Sequence, residues 1–195
     1  MMESSRKIRD LISLKGRVSL ITGGAGYIGT AISEALAELG SDIIIVGRRK
    51  DHALKVVSRI SQEYGVKSIF EEVDLNNKES IDLFVNKKRQ MVDILVNNAF
   101  TWPNILKIEE TSWEDFENTL RSGITSPFYL TKIIVEDMKR LGGGNIINIA
   151  SMYGIVSPNF KIYREHPKLG NALAYNAAKS AIIQMTKYLA VYYAK

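Results

Sequence analysis

Val18-Ser19-Leu20-Ile21-Thr22-Gly23-Gly24-Ala25-Gly26-Tyr27-Ile28-Gly29 decides the fold. Val18 to Ile21 is apolar in the manner of a parallel strand covered on both faces. Three glycines follow in the spacing Gly24-x-Gly26-x-x-Gly29. Ile28, Ala31, Ile32, Ala35, Leu36 and Leu39 then recur at helical spacing, and Gly40 stops the run. Strand, glycine turn and helix in that order are the context a dinucleotide fingerprint requires. One glycine allows the tight turn, one lets backbone approach a pyrophosphate, and one lets the helix sit close on the strand. The free N–H groups and positive end of the helix face the phosphates. The competing reading is a glycine-rich turn that binds nothing.

The same alternation continues outward. Strands are predicted over residues 17–22, 42–46, 66–73, 92–96 and 145–150, and helices over 28–39, 52–64 and 77–89. A long helical region covers 112–141 with an interruption at Ser126-Pro127, and a last helix covers 172–194. Asn76 or Asn77 caps the helix after the third strand. Strand and helix in turn imply a parallel sheet with right-handed crossovers and helices on both faces, a three-layer α/β fold of the Rossmann type. A polar leader, residues 1–14, helical over 6–12, precedes one domain over residues 15–195.

The chain has 195 residues, 46% hydrophobic and 24% charged, enough to bury a sizeable core. No apolar run approaches the roughly 20 residues of a membrane span, and the leader lacks the apolar stretch of a secretory signal. There is no cysteine, so disulfides, thiolate chemistry and cysteine metal sites are excluded, in keeping with a cytoplasmic protein. His52 and His166 have no ligand-like spacing, and no metal is expected. The net charge of +5 is spread, with clusters at Arg48-Arg49-Lys50 and Lys87-Lys88-Arg89 but no basic stripe interleaved with aromatics. That disfavours nucleic acid and suits anionic small molecules.

Ligands in such sheets bind beyond the carboxyl ends of the strands. The informative residues all fall there: Thr22 to Gly29, Arg48, Asp74-Leu75, Asn97-Asn98-Ala99 and Ser151, joined by Tyr175-x-x-x-Lys179 on the last helix. Together these resemble the short-chain dehydrogenase/reductase family from about Leu14 onward. The stretches Asn148-Ile-Ala-Ser-Met-Tyr-Gly-Ile-Val156 and Tyr188-Leu-Ala-Val-Tyr-Tyr193 are similar to a subgroup of flagellin-modification and surface-polysaccharide oxidoreductases. The resemblance implies a nicotinamide cofactor held by Thr22, Gly23, Gly24, Gly26, Tyr27, Ile28, Gly29, Arg48, Asp74, Leu75, Asn97, Ala99, Tyr175 and Lys179. It implies catalysis by Ser151, Tyr175 and Lys179, a sugar-like small-molecule substrate, and a homodimer or homotetramer built on the long helices.

Tyr175 and Lys179, at i and i+4, project from one helix face. A tyrosine working as a base near neutral pH needs its pKa of about 10 lowered by about 3 units, or about 4 kcal/mol. One cation at about 4 Å in an effective dielectric of about 20 supplies that order of energy. Lys179 is that cation, and in the family the lysine also holds the ribose hydroxyls. Ser151 hydrogen-bonds the reacting oxygen. The competing readings are a solvated helix face and a turn serine. Arg48 stands where an NAD-preferring protein places an acid, and a guanidinium there can fork a 2′-phosphate. NADP is therefore preferred over NAD, the alternative for Arg48 being stacking on adenine or facing solvent.

Three features depart from the family pattern. Tyr27 stands where many members carry a glycine. Gly123 stands where the family usually has an asparagine that helps hold a proton-relay water. The chain stops at Lys195, where the family normally continues with two more strands, so strand five is expected to be an open sheet edge. Two functions stay in view: an oxidoreductase acting on a secondary alcohol or carbonyl, and a catalytically impaired dinucleotide-binding or scaffold protein of the same descent.

Overall fold

The computed structural model describes residues 8–88, 90–103, 107–165 and 172–194. The first seven residues of the leader, Arg89, His166 and the rest of the loop to Asn171 lie outside them. After a short helix α1 (Ile8–Ile12) come β1 (Val18–Thr22), α2 (Tyr27–Glu38), β2 (Asp42–Gly47), α3 (Lys50–Tyr64), β3 (Ser68–Glu72), α4 (Lys78–Lys87) and β4 (Ile94–Asn97). Then follow α5 (Trp113–Leu120), a π-helical turn (Arg121–Thr125), α6 (Ser126–Arg140), β5 (Asn145–Asn148) and α7 (Leu173–Tyr193).

The five strands are parallel in the order β3-β2-β1-β4-β5. Each inner strand buries both faces in alternation. Leu20, Ile44, Val46 and Leu95 face Ile81, Phe84, Leu130 and Ile134 of α4 and α6. Ile21, Ile43, Ile45 and Val96 face Ala37 of α2 and Ala53, Val57 and Ile60 of α3. The doubly wound three-layer arrangement follows directly, and the order reverses between β1 and β4, which opens a crevice at their carboxyl ends. β5 pairs with β4 alone among the described strands, and Ile147 remains exposed.

Local chemistry sets the boundaries. Gly65 closes α3 in the left-handed conformation (φ +67°), and Asn77 caps α4 by accepting from the Ser80 N–H (2.9 Å). One expectation needs correction. The 112–141 region does not break at Ser126-Pro127; Pro127 sits in the first turn of α6, where its missing N–H costs nothing, and the irregularity is the π turn just before it. At the opposite end of the strands, Asp93 accepts from Arg17 (2.7 Å) and from the Val18 N–H (2.9 Å), and Lys88 pairs with the buried Asp137.

Candidate active site

Thr22, the last residue of β1, is the hub of the crevice floor. Its hydroxyl donates to the Val96 carbonyl (3.2 Å) and accepts from the N–H groups of Asn98 and Ala99 (2.9 Å each). The Asn98 amide donates back to the carbonyls of Thr22 (2.9 Å) and Gly23 (3.2 Å). The turns after β1 and β4 are thereby locked together.

The glycines of the turn divide the work. Gly23 has φ +62° and makes the bend. A β-carbon on Gly29 would lie 2.1 Å from the Gly23 carbonyl oxygen, so the first turn of α2 rests directly on that bend. Gly24, expected among the cofactor-binding glycines, turns its open face the other way. Its α-hydrogen face points inward, where a β-carbon would meet Ile45 Cγ1 and Ser33 Oγ at 2.9 Å, and it does not line the crevice. Gly26 does line it and caps α2 without any side-chain hydrogen bond. The N-terminal N–H groups of α2 therefore have no side-chain competitor for an anion.

The crevice is a cleft of about 430 Å³ lined by Thr22, Gly23, Gly26 to Gly29, Arg48, Arg49, Asp74 to Asn76 and Asn97 to Thr101. Tyr27 stands 99% exposed at its mouth and so does not obstruct it. Arg48 and Arg49 are both exposed, and an Arg49 guanidinium nitrogen comes within 3.8 Å of where a Gly26 β-carbon would be. The Asp74 carboxylate accepts from the Asn76 N–H (3.0 Å), and the Leu75 carbonyl accepts from the Ser126 hydroxyl (2.5 Å). Asn97 is buried, and its amide nitrogen donates to Thr131 (3.1 Å) and Asn148 (2.8 Å), tying β4 to α6 and β5.

Ser151, Tyr175 and Lys179 do not line this cleft; Phe100, which does, packs against the Tyr175 ring and lies beneath the Lys179 ammonium. Tyr175 and Lys179 share a face of α7, the ammonium lying 5.8 Å from the centre of the phenol ring. Lys179 is 7% exposed and donates to the Ile149 carbonyl (2.5 Å), and burial pushes its pKa below the ordinary lysine value. Ser151 caps the short 3-10 turn Met152–Gly154 by accepting from the Tyr153 N–H (3.2 Å). That turn packs on α7 at Lys179. The Tyr175 ring is flanked by Phe100 (centroids 5.2 Å) and Trp102 (4.7 Å). The described residues contain no cluster of three potential metal ligands.

With that geometry in hand, residues 17–195 match the family described as short chain dehydrogenase. The chain belongs to the short-chain dehydrogenase family. It is 35% identical over 184 residues to the 3-oxoacyl-[acyl-carrier-protein] reductase FabG of Aquifex aeolicus, covering 92% of this chain and 68% of that one. Among solved structures it is similar to L-sorbose reductase from Gluconobacter frateurii, complexed with NADPH and L-sorbose (TM-score 0.80, 29% identity, 92% of this chain and 65% of that one). It is likewise similar to an NAD⁺-bound xylitol dehydrogenase (TM-score 0.77, 28% identity, 91% and 65%). The chain thus spans about two thirds of the length of these short-chain dehydrogenase relatives.

Sequence reasoning passed over Asn98, Arg49, Phe100 and Trp102. Asn98 is hidden within Asn97-Asn98-Ala99, because its partners are backbone carbonyls 75 and 76 residues away in sequence. Phe100 and Trp102 follow Asn-Asn-Ala in a loop without periodicity, and only the approach of α7 reveals them.

Proposed function

We propose that the chain is an NADP(H)-dependent oxidoreductase that interconverts a secondary alcohol and a ketone of a sugar derivative. The single observation that carries this reading is the pairing, on one face of α7, of the Tyr175 phenol with a buried Lys179 ammonium, next to the glycine-turn cleft. The uncapped start of α2, the cleft-lining Gly26 and the two arginines fit a dinucleotide with an added phosphate. NAD is the second coenzyme to be weighed, since solved relatives hold either NADPH or NAD⁺. The bound coenzyme supplies the hydride donor or acceptor.

In this reading Tyr175 exchanges a proton with the substrate oxygen, removing it on oxidation and returning it on reduction. Ser151 donates a hydrogen bond to the same oxygen. Lys179 keeps a positive charge beside the phenol, and the Ile149 carbonyl holds that charge in place. A sugar-like substrate is supported by the sorbose complex of the Gluconobacter frateurii relative and by the xylitol enzyme. A role in building surface glycans is the finer part of the proposal. It is supported by the resemblance of the segments around Ser151 and Tyr188. A homo-oligomer is supported by the exposure of Trp113, Phe128, Tyr188, Val191 and Tyr192 on α5, α6 and α7, and light scattering tests it.

The test is NADPH consumption, or NADP⁺ reduction, over a panel of ketoses, sugar alcohols, sugar phosphates and nucleotide sugars, beside Tyr175→Phe. Turnover lost in the variant supports the reading, and undiminished turnover removes Tyr175 as the base. The second reading, a coenzyme-binding protein without turnover, is favoured by Gly123 in place of the usual asparagine. Tight NADPH binding with no conversion on any panel member would select it.

A further inference from the structure

Gly123, in the π turn between α5 and α6, has no room for a side chain. A β-carbon there would lie 2.6 Å from the Ala178 methyl and 2.8 Å from Cε2 of Phe100. The position is occupied from the loop after β4: the Phe100 ring lies against the bare backbone of the π turn. The same ring meets Tyr175 at 84° with centroids 5.2 Å apart, and the Lys179 ammonium sits 5.1 Å from its centre. Three elements, the loop after β4, the π turn and α7, therefore converge on one aromatic side chain.

The arrangement has an electrostatic consequence. A buried ammonium has three N–H groups to satisfy, and the Ile149 carbonyl accepts from one of them. The negative face of a benzene ring is the apolar surface that best tolerates a desolvated cation. An edge-to-face contact also restricts how a neighbouring phenol can turn. Gly123 is what allows the ring to reach both groups.

We propose that Phe100 and Gly123 form one positioning unit for the Tyr175–Lys179 pair, the ring filling the space left by the missing side chain and holding the ammonium beside the phenol. The unit takes over, by cation–π and edge-to-face contact, the orienting task that a polar side chain at position 123 would otherwise serve. The inference rests on the proposed role of Tyr175 and Lys179. It adds Phe100 as a positioning residue that does not itself exchange a proton.

Phe100→Leu keeps an apolar side chain and removes the π face; Gly123→Ala crowds the ring out of place. Each is compared with the parent chain and with Tyr175→Phe in two measurements. The first is an ultraviolet tyrosinate titration, in which the ionisation step lost in Tyr175→Phe identifies the phenol without requiring turnover. The second is kcat and KM against pH with NADPH and the panel substrate that the parent converts fastest. With the ammonium no longer held, the Tyr175 step moves to higher pH by about half a unit or more in both variants, the size expected from losing a desolvated cation–π contact. The acid limb of kcat for oxidation moves with it, and KM changes less than kcat. Circular dichroism checks that the fold is kept. Because the two sites share one contact, Gly123→Ala costs less in a Phe100→Ala background than in the parent.

A Tyr175 ionisation step and a pH profile that stay where they were in a folded Phe100→Leu variant overturn the proposal and leave Phe100 a filler. The outcomes separate from those of the function itself. If Tyr175→Phe still turns over, the catalytic reading fails, while the titration continues to report whether Phe100 holds the pair.

Discussion

A β-carbon placed on Gly154 would stand 2.6 Å from the carbonyl oxygen of Lys179 and 2.7 Å from its carbonyl carbon. The turn that begins at Ser151 is therefore seated against the backbone of α7 at the residue that carries the ammonium. Ser180 tightens the seat by donating its hydroxyl to the Gly154 carbonyl (2.9 Å). Gly154 is not in the left-handed region, so closeness and not conformation requires a glycine here. This seat, with the Lys179–Ile149 hydrogen bond, ties the segment of Ser151 to the Tyr175–Lys179 pair, far apart in the chain.

Gly154→Ala consequently separates Ser151 from α7. Overpacking of this kind costs about 1–3 kcal/mol of stability. A displacement of about 1 Å in a reacting group costs on the order of 10²-fold in rate. The expected result is a folded protein that binds NADPH by fluorescence as the parent does, with kcat reduced on that order. Equal kcat in the two proteins would show that the turn has no part in holding the site.

Thr22→Val removes the hydroxyl that serves two N–H groups and one carbonyl across β1 and β4. Leaving buried donors unsatisfied costs about 1–3 kcal/mol each, and the variant is expected to lose on the order of 2–4 kcal/mol. For a chain of this size that lowers Tm by roughly 5–15 °C. Thr22→Ser, which keeps the oxygen, is expected to stay near the parent. Thermal unfolding followed by circular dichroism checks both.

The layers of this fold were legible because parallel strands buried on both faces are written as short apolar runs. Val18 to Ile21, Ile43 to Val46 and Ile94 to Val96 each alternate between the two cores. Gly65 and Asn77 announced helix ends through chemistry that acts within a few residues. The π turn was not legible, since one extra residue between two helical stretches leaves the apolar spacing nearly intact and Pro127 drew attention to the wrong place. Spacing was enough to place Tyr175 and Lys179 on one face of α7, while their role came only from the family resemblance. Phe100 and Gly123 were not legible: their contact joins segments 23 residues apart, and neither residue type signals it alone. The inward face of Gly24 was hidden for the same reason, its neighbours being Ile45 and Ser33.

In the role proposed for it, Lys179 is expected to give the activity an alkaline limit. Burial lowers its pKa from the ordinary 10.5, so the folded protein releases this proton at lower pH than the unfolded chain does. Kept charged, the buried ammonium subtracts from stability below its folded pKa. That subtraction disappears as pH rises through the folded value toward the unfolded one, so this group alone makes stability increase with pH over that window. Turnover moves the opposite way, because the charge beside the phenol is lost. Activity should therefore decline on the alkaline side, with a midpoint below 10.5, while denaturant unfolding shows no matching loss of stability. Lys179→Arg, whose charge persists, should lack that alkaline limb in whatever activity it retains.

The two arginines after β2, which both line the cleft, are expected to make separable contributions to coenzyme binding. Arg48 follows β2 directly, at the site where a ribose 2′-substituent is read in dinucleotide folds. Arg49 instead is the N-cap residue of α3 and extends toward Gly26 in the glycine turn. A charge-assisted contact to a phosphate is worth about 1.5–3 kcal/mol, or roughly 10- to 100-fold in Kd. Arg48→Ala is thus expected to weaken NADPH by that factor and leave NADH nearly unchanged, because only the former carries the 2′-phosphate. Arg49→Ala is expected to weaken both coenzymes to a similar degree, because both carry a pyrophosphate, which Gly26 and Arg49 would hold together. Both losses should shrink as salt is raised, as exposed guanidinium contacts are screened. Fluorescence titrations of the two variants with the two coenzymes decide the assignment. Arg48→Ala binding both coenzymes as the parent does would remove the 2′-phosphate role and shift the preference to NAD.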